Sequence, residues 1–186
     1  MSRFRASSAR LGVVFFGWAA SILLSSCAGW RDYGDVYYAH RGPAEPTYAF
    51  GVPGGDWRPV RDIDDIQVAW VNTSLDGVGI IEVYAQCDDH GDSSLEQYTD
   101  HLRIDWDGWT VLEQTKTELM GRAALRTVVD ASLDGIPRRN ELWVVKKDGC
   151  LFDLRYSAGA GDFASAQPAF SSVVQGLRFP HEAEAL

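Results

Sequence analysis

The stretch LMGRAALRTVVDASLDGIPRRNELWVVKKDGCLFDLRYSA, residues 119–158, decides the fold of this chain. Its apolar and β-branched runs are broken by three short connections, at Met120-Gly121, Leu133-Asp134-Gly135 and Asp148-Gly149. The Asp-Gly pair at 148–149 suits a tight type I′ turn, which joins two antiparallel neighbours. Strands joined by short hairpins form an antiparallel sheet, so this stretch predicts consecutive strands of one sheet.

The segments that precede this stretch extend the same pattern. Three of them are rich in β-forming residues, namely YAFGVP (48–53), QVAWVN (67–72) and GIIEVYAQC (79–87). The intervening segment DWRPVRDIDD (56–65) is polar apart from Trp57, and it predicts a loop. The segment SLDGV (74–78) predicts a hairpin-like turn between the second and the third of these strands.

Two segments have the apolar spacing of amphipathic helices, SLEQYTDHLRIDW (94–106) and FASAQPAFSSVVQGLRF (163–179). Ser93 or Ser94 is placed to cap the first of them. The apolar stripes are Leu95, Tyr98, Leu102 and Trp106 in the first helix, and Phe170, Val173, Val174 and Leu177 in the second. Amphipathic helices bury their stripes against a sheet, so the chain is predicted to be an α+β protein.

The N-terminus has the parts of a secretory signal. A basic stretch, MSRFRASSAR, precedes the apolar run LGVVFFGWAASILLS (11–25), which is shorter than the roughly 20 residues that span a bilayer as a helix. Leu24-Ser25-Ser26-Cys27 resembles the bacterial lipobox. That resemblance implies cleavage before Cys27, attachment of fatty acyl chains to this cysteine, and anchoring in the membrane. An uncleaved short anchor, or an ordinary secretory signal with a chance cysteine, is the alternative interpretation.

These features predict the domain organisation. Residues 1–26 are the lipoprotein signal peptide, residues 27–46 are the lipidated cysteine and a flexible tether, residues 47–180 are one α+β domain, and residues 181–186 are a short tail. The residue after the cysteine is Ala28 and not Asp, which in enterobacteria-like sorting resembles an outer-membrane address. The net charge of −9 repels phosphate backbones, so nucleic acid is excluded as a partner.

Four stretches together resemble the PsbP-like family. They are FGVPGGDW (50–57), SLEQYTDHL (94–102), the stretch 119–158 quoted above, and FASAQPAFSSVVQGLRFP (163–180). The family includes the extrinsic P subunit of photosystem II, a nuclear Ran-GTPase-release factor, and many small bacterial lipoproteins. The resemblance implies a six- or seven-stranded antiparallel sheet with helices on both sides. It also implies a non-catalytic role as an adaptor, assembly factor or accessory subunit.

The chain has three cysteines, and we expect one of them to take lipid and the other two to pair. If Cys27 takes lipid, Cys87 and Cys150 remain as an even pair in an oxidising compartment, where a disulfide is the default. A disulfide requires the two Cα atoms to lie within about 7 Å of each other. A redox site or a pair of thiolate metal ligands is the alternative, although the spacing matches neither a Cys-x-x-Cys motif nor a zinc motif.

Two further groups of residues are candidate binding sites. Asp88, Asp89, His90 and Asp92, in the segment CDDHGD (87–92), present oxygen and nitrogen ligands to a cation, although an acidic turn that only contacts solvent has the same sequence. Trp106 and Trp109 at the end of the first helix form either part of the core or an exposed patch that binds a partner.

Catalytic motifs are missing from the sequence. The four histidines are scattered, and there is no Gly-x-Ser-x-Gly, His-Glu-x-x-His or glycine-rich phosphate loop, so neither an enzyme nor a cofactor is predicted. We therefore expect a lipid-anchored protein on the periplasmic face of a bacterial membrane, most simply the outer one, that acts as an adaptor or assembly factor by binding another envelope protein. The alternative is a periplasmic carrier of a small ligand or metal ion. An adaptor predicts an apolar surface patch without a polar cleft, whereas a carrier predicts a concave pocket.

Overall fold

The computed structural model describes residues 31–33, 36–39, 48–60, 68–75, 77–87 and 93–179, the first two ranges by their backbone alone. The elements in chain order are β1 (Arg31–Tyr33), β2 (Val36–Ala39), β3 (Tyr48–Gly51), β4 (Arg58–Val60), β5 (Val68–Asn72), β6 (Gly79–Gln86), α1 (Leu95–His101), β7 (Asp107–Leu119), β8 (Arg122–Leu133), β9 (Ile136–Lys147), β10 (Cys150–Ala158) and α2 (Phe163–Gln175).

Seven of these strands form one sheet in the order β4-β5-β6-β10-β9-β8-β7, in which all neighbours are antiparallel. Strands β1, β2 and β3 form a second, three-stranded sheet. A single bridge between Ala49 and Arg178 ties β3 to the residues that follow α2. The seven-stranded antiparallel sheet agrees with the predicted fold class.

The three hairpins of the stretch 119–158 have two-residue turns. Both central residues of each turn have positive φ: 52° and 71° at Met120-Gly121, 51° and 78° at Asp134-Gly135, and 51° and 78° at Asp148-Gly149. Positive φ at both positions defines the type I′ turn, whose twist matches that of the flanking strands. The type I′ turn predicted for residues 148–149 is therefore confirmed, and the other two connections share its geometry.

The two helices lie on opposite faces of the sheet. Along β10 the side chains alternate, so that Phe152 and Leu154 pack in the cluster that contains α2, whereas Leu151 packs with Tyr98 of α1. We name the two sides of the sheet the α2 face and the α1 face. The prediction of helices on both sides is confirmed.

Aromatic packing dominates the α2 face. The fully buried ring of Tyr156 stacks on the rings of Phe163 and Phe170, and it meets Trp57 edge-on. Its hydroxyl group donates a hydrogen bond to the carbonyl of Phe163 at 3.0 Å. The backbone of α2 lies so close to β3 that a Cβ atom at Gly51 would meet the carbonyl oxygen of Ser172 at 2.0 Å. This face therefore contains the main core of the domain.

Several parts of the chain differ in detail from the sequence-based expectations. Helix α2, expected over residues 163–179, ends at Gln175. The segment 56–65 was expected to be a loop, but residues 58–60 form strand β4, because they pair with β5 at the edge of the sheet. Helix α1 was expected to reach Trp106, but it ends at His101 and four turn residues follow. Residues 31–33 and 36–39, which fall within the expected tether, form β1 and β2. None of the helices in the described ranges is long and apolar enough to cross a membrane.

Candidate functional site

A partly open cleft of about 350 Å³ separates α1 from strands β6 and β10 on the α1 face. Among the described residues its lining consists of Tyr84, Gln86, Ser93, Tyr98, His101, Leu102, Leu151 and Asp153. The two strands supply the floor, and the helix with the residues before it supplies one wall. The volume is within the range of small-molecule sites in proteins.

Helix α1 is short, and two local features hold it in place. Ser94 forms a capping box with Gln97. The backbone N–H of Gln97 donates to the Ser94 hydroxyl at 3.3 Å, and the backbone N–H of Ser94 donates to the side-chain Oε1 of Gln97 at 2.9 Å. One turn further on, Tyr98 packs on Val144 and Leu151 of the sheet. The cap fixes where the helix starts, and the apolar contact fixes which side of the helix faces the cleft.

Asp153 forms the floor of the cleft, directly across the strand pair from Tyr84. Only 7% of the residue is exposed, and its Oδ1 atom has no hydrogen-bond partner in the part of the chain that the structure describes. Burial raises the pKa of this carboxyl to about 6 from an ordinary value of 3.8, although the charge of Arg155 partly opposes the shift. The described part of the protein therefore leaves one buried acceptor of this carboxyl group unsatisfied, in a residue that lines the cleft.

Two pairs of neighbouring polar side chains interact with each other, although Arg155 Nε, like Asp153 Oδ1, has no hydrogen-bond partner among the described residues. The Tyr84 hydroxyl donates to Gln86 Oε1 at 3.2 Å. Arg155 lies 3.5 Å from Glu82 Oε2, an ion pair between adjacent strands on the same face as Asp153. The buried carboxylate therefore lies beside the pair and outside it.

Sequence reasoning missed Asp153, yet a signal was present in the sequence. In CLFDLRYSA (150–158) the acid stands between Phe152 and Leu154, in the middle of a strand that is otherwise largely apolar. An ionisable residue at such a position is buried at a cost unless it has a partner or a function. Tyr84 was likewise not identified, since an aromatic residue in a strand is usually part of the core.

The predicted disulfide between Cys87 and Cys150 is confirmed, with the two Cα atoms 4.0 Å apart. It joins the residue after β6 to the first residue of β10, next to the pair formed by Gln86 and Leu151. Since both members of that pair line the cleft, the disulfide holds one end of the cleft together.

Several predicted site residues lie outside the described residues: the lipidation site Cys27 and the candidate cation ligands Asp88, Asp89, His90 and Asp92. Within the described part of the chain, no group of three or more His, Cys, Asp or Glu side chains is placed to hold a metal ion. The cation site and the lipidation site stay predictions.

Trp106 and Trp109, the predicted partner surface, lie on the connection after α1 and at the start of β7. Both are half-buried, and neither belongs to the buried core. Four exposed apolar side chains lie at the same end of the sheet, on connections or at strand ends: Val78, Ile104, Leu133 and Ile136. We name these four residues the apolar end.

Register links explain why the apolar end is one region of the surface. Leu133 pairs with Ile136 beside the turn between β8 and β9. The neighbouring Ser132 pairs with Asp107 at the start of β7, three residues after Ile104. On the other side, Arg138 of β9 donates a hydrogen bond to the carbonyl of Val78 at 2.7 Å. The connections at this end of the sheet thus present large apolar groups to solvent.

No family model matches the sequence, and no curated protein matches it either. Among solved structures, LpqN of Mycobacterium tuberculosis, described as involved in cell envelope biogenesis, has a TM-score of 0.60 at 16% identity, over 79% of this chain and 93% of that chain. Cyanobacterial PsbP from Synechocystis has a TM-score of 0.54 at 13% identity, over 84% of this chain and 99% of that chain. At these identities the likeness concerns the fold alone, and this chain has a PsbP-like fold.

Proposed function

We propose that this protein is a lipid-anchored, non-catalytic envelope protein that acts as an adaptor or assembly factor by binding another envelope protein. The observation that carries the proposal is the apolar end. Ile104 and Ile136 are 67% and 59% exposed, and they are the two most exposed large apolar side chains in the described part of the chain. Clustered exposed apolar groups mark binding surfaces, because burying them against a partner removes apolar area from water.

The shape of this region also supports a binding surface. Hairpin turns at the end of a sheet project beyond the core, so their side chains reach a partner without any rearrangement of the fold. Trp106 and Trp109 follow Ile104 closely in the chain and are half-buried. Aromatic residues of this kind are enriched in the buried centres of protein interfaces.

The cleft supports a non-catalytic role. Its only carboxyl group among the described lining residues is Asp153, and no hydrogen bond between described residues joins that group to a serine, cysteine or histidine. A nucleophile with an adjacent general base is the minimum arrangement for covalent catalysis. The described part of the cleft supplies a binding group without the rest of that arrangement.

The location of the protein is proposed from its N-terminus. The lipobox-like Leu24-Ser25-Ser26-Cys27 and the short apolar run before it favour a lipoprotein, and Ala28 favours the outer membrane, with the domain facing the periplasm. The description of the structurally similar LpqN as involved in cell envelope biogenesis is consistent with this location.

Site-specific photo-crosslinking in the native envelope tests the adaptor role. A photoreactive amino acid placed at Ile136 is expected to give a discrete heavier species, which mass spectrometry identifies as an adduct with one envelope protein. The matched control is Met120, which is 53% exposed in the hairpin turn at the opposite end of the sheet and should give no such species. Leu133→Lys in the same chain should weaken the adduct formed at Ile136.

Equal labelling from both positions, or no specific adduct from Ile136, would contradict the adaptor role. Mass spectrometry of the same purified material also determines whether the mature chain begins at an acylated Cys27.

The cleft favours a second function, that of a carrier for a small ligand. An adaptor alone was expected to lack a polar cleft, and this chain has both a cleft and an apolar end. Carriage of a metal ion would depend on Asp88, Asp89, His90 and Asp92. It stays a prediction, because these residues lie outside the described part of the chain.

A further inference from the structure

We propose that the cleft between α1 and strands β6 and β10 binds a small organic cation, with a protonated amine paired to Asp153 and an aromatic or alkyl body between Tyr84 and Tyr98. No residue of the apolar end lines this cleft. The two proposals are therefore independent, and either can fail without the other.

The unpartnered carboxyl group of Asp153 indicates which chemical groups a ligand would need. A buried carboxylate without a partner costs several kcal/mol of desolvation, and this cost falls when a donor or a cation binds to it. The Oδ1 atom has no partner among the described residues, although the residue lines a cavity that opens to solvent. A protonated amine supplies both a positive charge and N–H donors, so it satisfies the carboxylate in both respects.

The charges around Asp153 favour a cation over an anion. Strand β10 contributes Arg155, but this side chain pairs with Glu82 of β6 at 3.5 Å. From β9, the Lys146 ammonium lies over the Tyr98 ring, 5.8 Å from its centre. Helix α1 contributes His101 at the rim.

Neither a lysine nor an arginine is among the described residues that line the cleft. An anionic ligand would therefore face the buried carboxylate without a compensating positive charge in the described part of the lining.

The walls favour an organic ligand over a bare metal ion. Tyr84 and Tyr98 present aromatic surface, and Leu102 and Leu151 add apolar surface on either side. Aromatic rings also attract cations through their π faces. A hard divalent cation needs about six oxygen ligands, whereas the described lining offers a single carboxylate and a few neutral polar groups. A cavity of about 350 Å³ is large enough for a monocyclic amine.

Calorimetric titration of the full chain in detergent micelles tests this proposal with two matched probes. Tyramine carries an aromatic ring and a primary amine, and 4-ethylphenol has the same ring without the amine. Tyramine should bind at pH 7.5, and 4-ethylphenol should bind at least about tenfold more weakly, because a charge-assisted hydrogen bond contributes more than about 1.4 kcal/mol.

Two variants locate the effect. Asp153→Asn keeps the shape of the side chain and removes its charge, so it should weaken tyramine binding at least about tenfold. Asp100→Asn removes a carboxylate from the exposed side of α1, outside the cleft lining, and should leave the affinity within about twofold. A thermal unfolding curve of each variant, recorded on the same sample, shows whether the protein is folded during the titration.

Three outcomes would overturn the proposal. They are absence of tyramine binding up to about 10 mM, equal binding of the two probes, and unchanged tyramine affinity in folded Asp153→Asn. Equal losses in Asp153→Asn and Asp100→Asn would also overturn it, because they would indicate attraction by the general negative charge of the domain.

Discussion

Each face of the sheet contains a buried acidic side chain, and the two differ in their hydrogen-bond partners. On the α2 face, Glu141 is 2% exposed, and it accepts hydrogen bonds from Arg126 at 2.7 Å, from Trp143 at 3.0 Å and from Gln167 at 3.2 Å. The bond to Glu141 also raises the pKa of Arg126. On the α1 face, Asp153 is buried nearly as deeply, and its Oδ1 atom has no partner among the described residues.

This difference separates stability from binding within one domain. The α2 face combines a large aromatic cluster with a polar network in which the acid is satisfied, as expected of a face that holds the fold together. Among the described residues, the α1 face carries a helix of seven residues and keeps an unsatisfied acid next to a cavity. Proteins accept such local costs at functional sites, so the α1 face is where ligand binding is expected.

The largest expected effect tests whether the α2 face carries most of the stability. Phe170 is fully buried beneath Tyr156, and Phe170→Ala should lower the free energy of unfolding by about 4 kcal/mol, because it leaves a large cavity. The control is Leu102→Ala on the α1 face, where a half-buried side chain should cost about 1 kcal/mol. Urea denaturation with the disulfide intact measures both values.

Similar losses from the two truncations would contradict the division of roles between the faces. A loss below about 2 kcal/mol for Phe170→Ala would indicate that the site collapses around the cavity.

A smaller effect is expected from replacing each buried acid by its amide, and the two faces should respond with opposite signs. Asp153→Asn should stabilise the protein at pH 7 by up to about 3 kcal/mol, since the pKa of about 6 in the folded state lies well above the ordinary value of 3.8. Glu141→Gln should destabilise it by about 2 kcal/mol, since it weakens hydrogen bonds to a charged partner.

The pH dependence gives the sign for Asp153 independently. Because the folded state binds the proton more tightly than the unfolded state, the penalty is absent below about pH 4, and it develops as the pH rises through about 6. The difference in unfolding free energy between Asp153→Asn and the parent protein should therefore grow between pH 4 and pH 7. Urea denaturation at three pH values checks this, and a constant difference would show that Asp153 is not the titrating group.

Much of the fold could be predicted because its signals are local. Two-residue turns and alternating side chains between residues 119 and 158 define the strands, and helix α1 begins at one of the two serines identified as its cap. The disulfide followed from the parity of the cysteines. The strand at residues 58–60 was missed, because pairing at a sheet edge gives it a regular structure that a short sequence with a central proline does not indicate.

The cleft was not predictable, because its residues come together only through strand register and helix packing. Asp153 and Tyr84 are 69 positions apart in sequence and directly opposite each other in the sheet. The end of α1 was also misjudged: the apolar spacing continues to Trp106, but the contacts with the sheet end earlier, and Leu102 already serves as the C-cap. Periodicity indicates where a helix can form, and tertiary contacts decide where it stops.

The smallest expected effect concerns the cap that positions α1 over the cleft. Ser94→Ala removes the hydroxyl that accepts a hydrogen bond from the backbone N–H of Gln97. The substitution should lower the stability of the helix by about 1 kcal/mol. A helix of seven residues has little stability of its own, so the loss should appear locally, as faster hydrogen exchange of the α1 amides with little change at β8 and β9. Ser165→Ala in α2 is the matched control, because its hydroxyl donates to the Asp162 carbonyl and caps no amide. If Ser94→Ala accelerated exchange equally across the central strands, α1 would belong to the global folding unit, and the separation of the two faces would not hold.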